Sequence, residues 1–179
     1  FLRDVSLQPP GNLPILTSMN GELSLANNSA ELREVTAEMD RSQVVLNGRI
    51  KVDDEASTMD LVIHSDNFFL SPSLREALPV NWRSGLKPWT IDGPLVLDAR
   101  IRSGVDDPRT SVEVSIQLGG ATVHHQGIPA PLTDTHGEIT WFDNKLQLDN
   151  LSARYGDAEV RGSATALVEP DQHQLDATV

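Results

Sequence analysis

Alternation of apolar and polar residues runs through most of this chain, and a side-chain period of two fits the pleat of a β-strand rather than the 3.6-residue turn of a helix. Its cleanest stretch sets Val112, Val114, Ile116 and Leu118 against Ser111, Glu113, Ser115 and Gln117. Leu95, Leu97, Ala99 and Ile101 alternate in the same way with Val96, Asp98, Arg100 and Arg102, and Met59, Leu61 and Ile63 with Asp60, Val62 and His64. Each stretch describes a strand with one dry face. Turn-forming residues punctuate the series at Asn27-Asn28, Asn47-Gly48, Asp53-Asp54, Gly104 to Pro108, Gly119-Gly120 and Asp143-Asn144. Short connections favour antiparallel neighbours. A ladder of about eleven such strands exceeds the roughly ten at which open twisted sheets curl or split. The expected fold is therefore all-β: a long, curled antiparallel sheet with an open groove.

One segment breaks the pattern. Ser71 to Leu78 reads as a short helix, with Ser71 as cap, Pro72 in the first turn and Pro79 as stop. With Trp82, Leu86, Pro88 and Trp89 it makes an apolar insertion over residues 71–90, expected to lie as a lid across an end or edge of the sheet.

The chain also repeats itself. Gly21-Glu22-Leu23-Ser24-Leu25 is echoed by Gly137-Glu138-Ile139-Thr140-Trp141, and the match continues through Asn28 with Asn144, Leu32 with Leu148, Val35 with Leu151 and Ala37 with Ala153. After a small change in length, Gly48 is matched to Gly162, and Met59 to Ile63 resembles Leu175 to Val179. The copies span residues 13–63 and 129–179. Because the chain starts at Phe1 rather than Met and its alternation runs to Val179, residues 1–179 are expected to be a single fragment of a larger β-repeat protein.

Composition narrows the function. A formal charge of -12, with Lys and Arg scattered, repels phosphate backbones and anionic lipid headgroups and argues against nucleic-acid binding. Cysteine is absent, so there is neither a disulfide framework nor a thiolate site. No run approaches the roughly 20 apolar residues of a membrane-spanning helix.

Chemistry-bearing residues do not gather into a catalytic pattern, and no enzyme activity or cofactor is expected. No Gly-x-Ser-x-Gly elbow is present. His124 and His125 are strand neighbours that point to opposite faces and cannot chelate one metal together. His64 and His136 have no carboxylate at ligand spacing and read as solvent-facing. The acidic runs Asp53-Asp54-Glu55 and Asp106-Asp107 lack the spaced ligands and glycine of a calcium loop. Gly119-Gly120 reads as a hairpin or bulge, not a phosphate loop. Asn28 and Asn150 begin Asn-x-Ser triplets that matter only in a glycosylating host. A carbohydrate-active site would need facing carboxylates, for which Glu113 and Asp98 are nominal candidates without a supporting spacing.

The lead-in Ile128-Pro129-Ala130-Pro131-Leu132, the Gly137-Glu138-Ile139 strand, the run Leu146, Leu148, Leu151 and the closing Gly162 resemble the AsmA-like superfamily of bacterial envelope proteins, which includes the TamB and YhdP types. The resemblance covers most of the chain as a hydrophobic pattern. It implies a very long curled sheet with an apolar inner groove, a periplasmic or cell-envelope location, and a membrane anchor in the full-length protein. Phospholipid transport in support of outer-membrane assembly would be the function. The implied partners are phospholipid or another acyl lipid, flanking repeats of the same chain, and membrane-embedded envelope proteins at its ends.

The groove lining expected from the alternation comprises Leu23, Leu25, Met59, Leu61, Ile63, Leu95, Leu97, Ile101, Val112, Val114, Ile116, Leu118, Ile139 and Trp141. Two other readings use the same stripes: the packed interior of an ordinary β-sandwich, and a structural or protein-interaction repeat without ligand. They differ in whether a second layer covers the apolar face.

Overall fold

The computed structural model describes residues 1–7, 15–52, 57–77, 83, 86–104, 110–142, 145–168 and 173–178. In chain order these form β1 (Leu2–Leu7), β2 (Leu16–Ala26), β3 (Ser29–Met39), β4 (Ser42–Val52), β5 (Ser57–Phe68), α1 (Pro72–Ala77), β6 (Trp89–Asp92), β7 (Leu95–Ser103), β8 (Ser111–His125), β9 (Leu132–Phe142), β10 (Lys145–Tyr155), β11 (Ala158–Val168) and β12 (His173–Thr178). All twelve strands belong to one antiparallel sheet. Eleven follow each other in the order β1-β2-β3-β4-β5-β7-β8-β9-β10-β11-β12, and the short β6 pairs with the far half of β8. The ladder does not close on itself among the described residues, and no second sheet packs on it.

A flat single layer leaves both faces half wet. Here Val35, Val44 and Leu95 are 0–1% exposed, whereas Glu34, Glu38, Gln43 and Asp98 on neighbouring positions are exposed. Burial without a covering sheet requires the sheet to curl towards its apolar side, so that side is concave.

The bends have identifiable positions. Asp4, Ser18, Glu34, Gly120, Asp134 and Asn150 have positive φ within strands, and each sits where the register shifts, the signature of a β-bulge. Asparagine side chains satisfy backbone groups the bulges displace: the Glu34 amide donates to Asn47 Oδ1 at 2.8 Å, and Asn20 Nδ2 donates to the Ser18 carbonyl at 2.7 Å. Gly119-Gly120 is one of these bulges, and β8 runs through it to His125.

The two copies are built alike. Leu16 and Leu132, Ser29 and Lys145, and Ser42 and Ala158 begin corresponding strands, each pair 116 residues apart, and the strands have equal lengths. Left-handed residues recur at the same spacing: Ser18 (φ 50°) with Asp134 (51°), Glu34 (47°) with Asn150 (51°), and Asp40 (53°) with Gly156 (60°). The sequence match needs one correction. Leu32 pairs with Gly48 and Leu148 pairs with Ala164, so Gly48 corresponds to Ala164, and Gly162 corresponds to Leu46. No length change intervenes; two unrelated glycines were aligned.

Asn47-Gly48 is not a turn either. It lies inside β4, where Gly48 (φ 148°) passes so close to β5 that an added Cβ would sit 2.1 Å from the Asp60 carbonyl oxygen. Asn27-Asn28 does form the β2–β3 turn. The expected turns at Asp53-Asp54, within 105–108 and at Asp143-Asn144 lie outside the described residues, as do Leu78, Pro79 and Trp82.

Candidate functional site

Cross-strand pairing decides which side chains share a face, because directly opposed residues point the same way. One row runs Leu23, Leu32, Gly48, Leu61, Ile101, Val112. The next runs Val35, Leu46, Ile63, Ala99, Val114, Trp141, Leu146, Ala166. A third runs Leu97, Ile116, Ile139, Leu148, Ala164, with Leu95, Leu118 and Gly137 beside it. Leu25, Ala30, Ile50, Met59 and Ser103 form the outermost row. All fourteen residues expected from the alternation therefore lie on the one concave face. Val35, Ala37, Val44, Leu46 and Leu148 extend it, and the sequence reading left them out although their alternation was visible.

Exposure across this face is graded. Leu95, Leu97 and Leu118 are buried, Leu25 is 73% exposed, and the other ten are half-buried. The buried end lies where β5 leaves the sheet for the insertion. There Phe68, Leu95, Leu97, Leu118 and Ala121 cluster, with Leu70, Leu74 and Ile91 packed against them. The helix is capped as its sequence required, the Leu74 amide donating to Ser71 Oγ at 3.1 Å. Arg75 Nη1 donates to the Trp89 carbonyl at 2.5 Å, and the Trp89 ring meets His125 with centroids 4.3 Å apart and the planes tilted by 51°. Trp89 begins β6. Leu70, Leu74 and Ile91 thus cover one rim, while the opposite rim, at Leu25 and Val52, stays open.

The convex face carries the charge. Arg100 donates through Nε and Nη2 to the two oxygens of Asp60 at 2.9 and 2.7 Å, which holds the Asp60 carboxyl below its usual range. Glu31 is lowered in the same sense by hydrogen bonding to Arg33, with Arg49 adding to it. Glu113 lies 3.6 Å from Arg102 and Asp98 bonds His64, so the two nominal carboxylates are each engaged by a cationic or basic neighbour. His64 and His136 correct the sequence reading: carboxylates do flank them. His64 Nδ1 lies 2.8 Å from Asp98 and its Nε2 3.1 Å from Asp66, while His136 Nε2 lies 3.0 Å from Asp134. Residues i and i+2 share a face, and that spacing was available in the sequence. The Asp98 hydrogen bond, helped by Asp66, raises the His64 pKa above its ordinary value against a smaller desolvation effect. Among the described residues no group of three or more His, Cys, Asp or Glu is placed to hold a metal, and no helix is long and apolar enough to cross a membrane.

Serine hydroxyls do meet carboxylates, Ser115 at Glu138 and Ser71 and Ser73 at Asp40. The larger feature is an apolar trough, covered at one rim and open at Leu25 and Val52. Comparison with protein-family models, with curated proteins and with solved structures gives no match.

Proposed function

We propose that this chain is a section of a bacterial-envelope lipid conduit of the AsmA-like kind, shielding phospholipid acyl chains in its apolar trough as they cross the periplasm between membranes. In the full-length protein, flanking repeats would lengthen the trough, a membrane anchor would hold it, and membrane-embedded proteins would meet its ends. One observation carries the reading: fourteen separately identified apolar residues share the concave face of a single sheet that no second layer covers. Ten of the fourteen are only partly buried and Leu25 is exposed, and an apolar face left partly open in this way supports an interaction site.

The energetics suit an acyl chain. Each buried methylene contributes about 0.8 kcal/mol, so a chain of roughly sixteen carbons recovers on the order of ten kcal/mol before ordering costs. That offsets most of what leaving a bilayer costs. The rows carry no charged side chain, and Ser65, opposite Leu97, already donates its hydroxyl to the Gln43 carbonyl, which suits passage more than storage.

The test is lipid extraction from protein purified without detergent, followed by mass spectrometry. Co-purified phospholipid, reduced in an Ile116→Asp variant that still folds, is the expected result. Protein that is lipid-free under these conditions supports the alternative, a structural or protein-interaction repeat.

A further inference from the structure

We infer that Asp40-Arg41-Ser42, the tip of the β3–β4 hairpin, is a latch that holds the segment 69–77 closed over the buried end of the apolar face, and that its release admits acyl chains to that end. The gating part of this inference rests on the acyl-binding reading above; the latch itself does not.

Three consecutive residues reach the same short segment. Asp40 Oδ2 accepts hydrogen bonds from the hydroxyls of Ser71 and Ser73, the latter at 2.9 Å. The Arg41 guanidinium lies 5.3 Å from the Phe69 ring centroid, a cation–π contact. Ser42 Oγ accepts the Phe69 amide at 2.8 Å. Beneath this segment, Leu70 and Leu74 rest on the cluster containing Leu95, Leu97 and Leu118. Leu97 belongs to the same cross-strand row as Ile116 and Ile139, so the covered end is continuous with the open trough.

The internal repeat supplies a built-in control. At the 116-residue spacing, Asp40, Arg41 and Ser42 correspond to Gly156, Asp157 and Ala158, which join β10 to β11. This second tip makes the same hairpin but has no carboxylate at its first position, no cation at its second and no hydroxyl at its third. Gly156 adopts φ 60° without steric cost, whereas Asp40 adopts φ 53° with a side chain attached. The hairpin alone would be served at least as well by glycine. What the aspartate adds is its carboxylate, directed at Ser71 and Ser73. Asp40 and Ser73 are exposed, so water can replace the bond between them without opening the sheet, whereas Ser71 is buried and its hydroxyl is the better shielded of the two donors.

The experiment transplants the second tip onto the first, as the double variant Asp40→Gly, Ser42→Ala, with Arg41→Asp as an independent single variant. Hydrogen exchange over Pro72–Ala77 and binding of a fluorescent sixteen-carbon fatty acid are measured alongside circular dichroism. Unchanged strand content, exchange faster by about tenfold and a several-fold rise in probe binding are expected, the scale of losing charge-assisted hydrogen bonds. Unchanged exchange in both variants overturns the latch. Faster exchange with wild-type-like probe binding leaves a latch but overturns the gate. If neither the wild type nor a faster-exchanging variant binds probe, the acyl-binding reading fails and takes the gate with it.

Discussion

Replacing Ile116 by Asp distinguishes an open trough from a closed core, and the structure supplies its own reference in Leu95. Both residues point to the concave face, on adjacent strands, but Ile116 is partly buried at the margin of the cluster in which Leu95 is 1% exposed. Fully burying such a side chain is worth about 1.5–3 kcal/mol, so losing the partial burial at Ile116 costs about 1–2.5 kcal/mol while the new carboxylate keeps part of its water. At Leu95 the carboxylate loses its water as well, which places the cost above about 4 kcal/mol. For a chain of this size 1 kcal/mol shifts the melting temperature by roughly 2–4 °C. The expectation is a drop of about 2–10 °C for Ile116→Asp and failure to fold stably for Leu95→Asp, followed by circular dichroism. The same Ile116→Asp protein should lose acyl-probe binding, because a passing methylene chain would have to desolvate the carboxylate. Equal, severe losses at both positions would show that the trough is closed in solution, and a mild melt with undiminished lipid binding would remove Ile116 from its lining.

Gly48→Ala should destabilise the protein by more than about 2 kcal/mol, since its Cβ would meet backbone of β5 at 2.1 Å; Gly156→Ala, with nothing within 4 Å, should cost only the left-handed strain of about 1 kcal/mol in the same denaturant titration. Asp60→Asn should cost no more than about 1 kcal/mol at neutral pH, as both partners are about half exposed. Because the Asp60 pKa is lowered by Arg100, its contribution is present above the unfolded-state pKa and lost as pH falls through the folded value, so wild type and Asp60→Asn should converge in acid. His64 shifts the other way: its stabilisation is full below the unfolded pKa and lost as pH rises through the raised folded pKa. NMR titration should find the His64 pKa above 6.5, and Asp98→Asn should bring it down.

Strand-level features were legible because a two-residue period leaves no ambiguity about facing. Val112 to Leu118 and Leu95 to Ile101 fall into β8 and β7 with the apolar set on one side. The short helix was legible from Ser71 and Pro72 for an equally local reason. Gly48 shows where local reading stops. Its role depends on how near β5 approaches, a distance that Asn-Gly chemistry does not encode, so a strand interior looked like a turn. Bulges were illegible for a related reason: Ser18, Glu34 and Asn150 are ordinary polar residues whose left-handed backbone emerges only from cross-strand register. The tip that contacts the short helix was not legible, because Asp40 and Ser71 are far apart in sequence and meet only through the fold.

The bulges also bear on how such a trough could be extended. A twisted open sheet of more than roughly ten strands has to curl or split, and where it bends is decided by where extra residues interrupt the ladder. In this chain Asp4 and Gly120, Ser18 and Asp134, and Glu34 and Asn150 place interruptions at one 116-residue spacing, although only backbone conformation, not residue type, is shared within each pair. Matching interruptions give β2–β4 and β9–β11 the same strand lengths and register shifts, and the apolar rows continue from β7 and β8 into β9, β10 and β11. Those rows are aliphatic apart from Trp141, which stands between Val114 and Leu146. Between the two copies residue types diverge while three features persist: the alternation, the bulge positions and the close approach at Gly21 and Gly137, where an added Cβ would stand within 3 Å of the neighbouring strand. The copies part company at Gly48, whose counterpart is Ala164, and at Asp40-Arg41-Ser42, whose counterpart is Gly156-Asp157-Ala158.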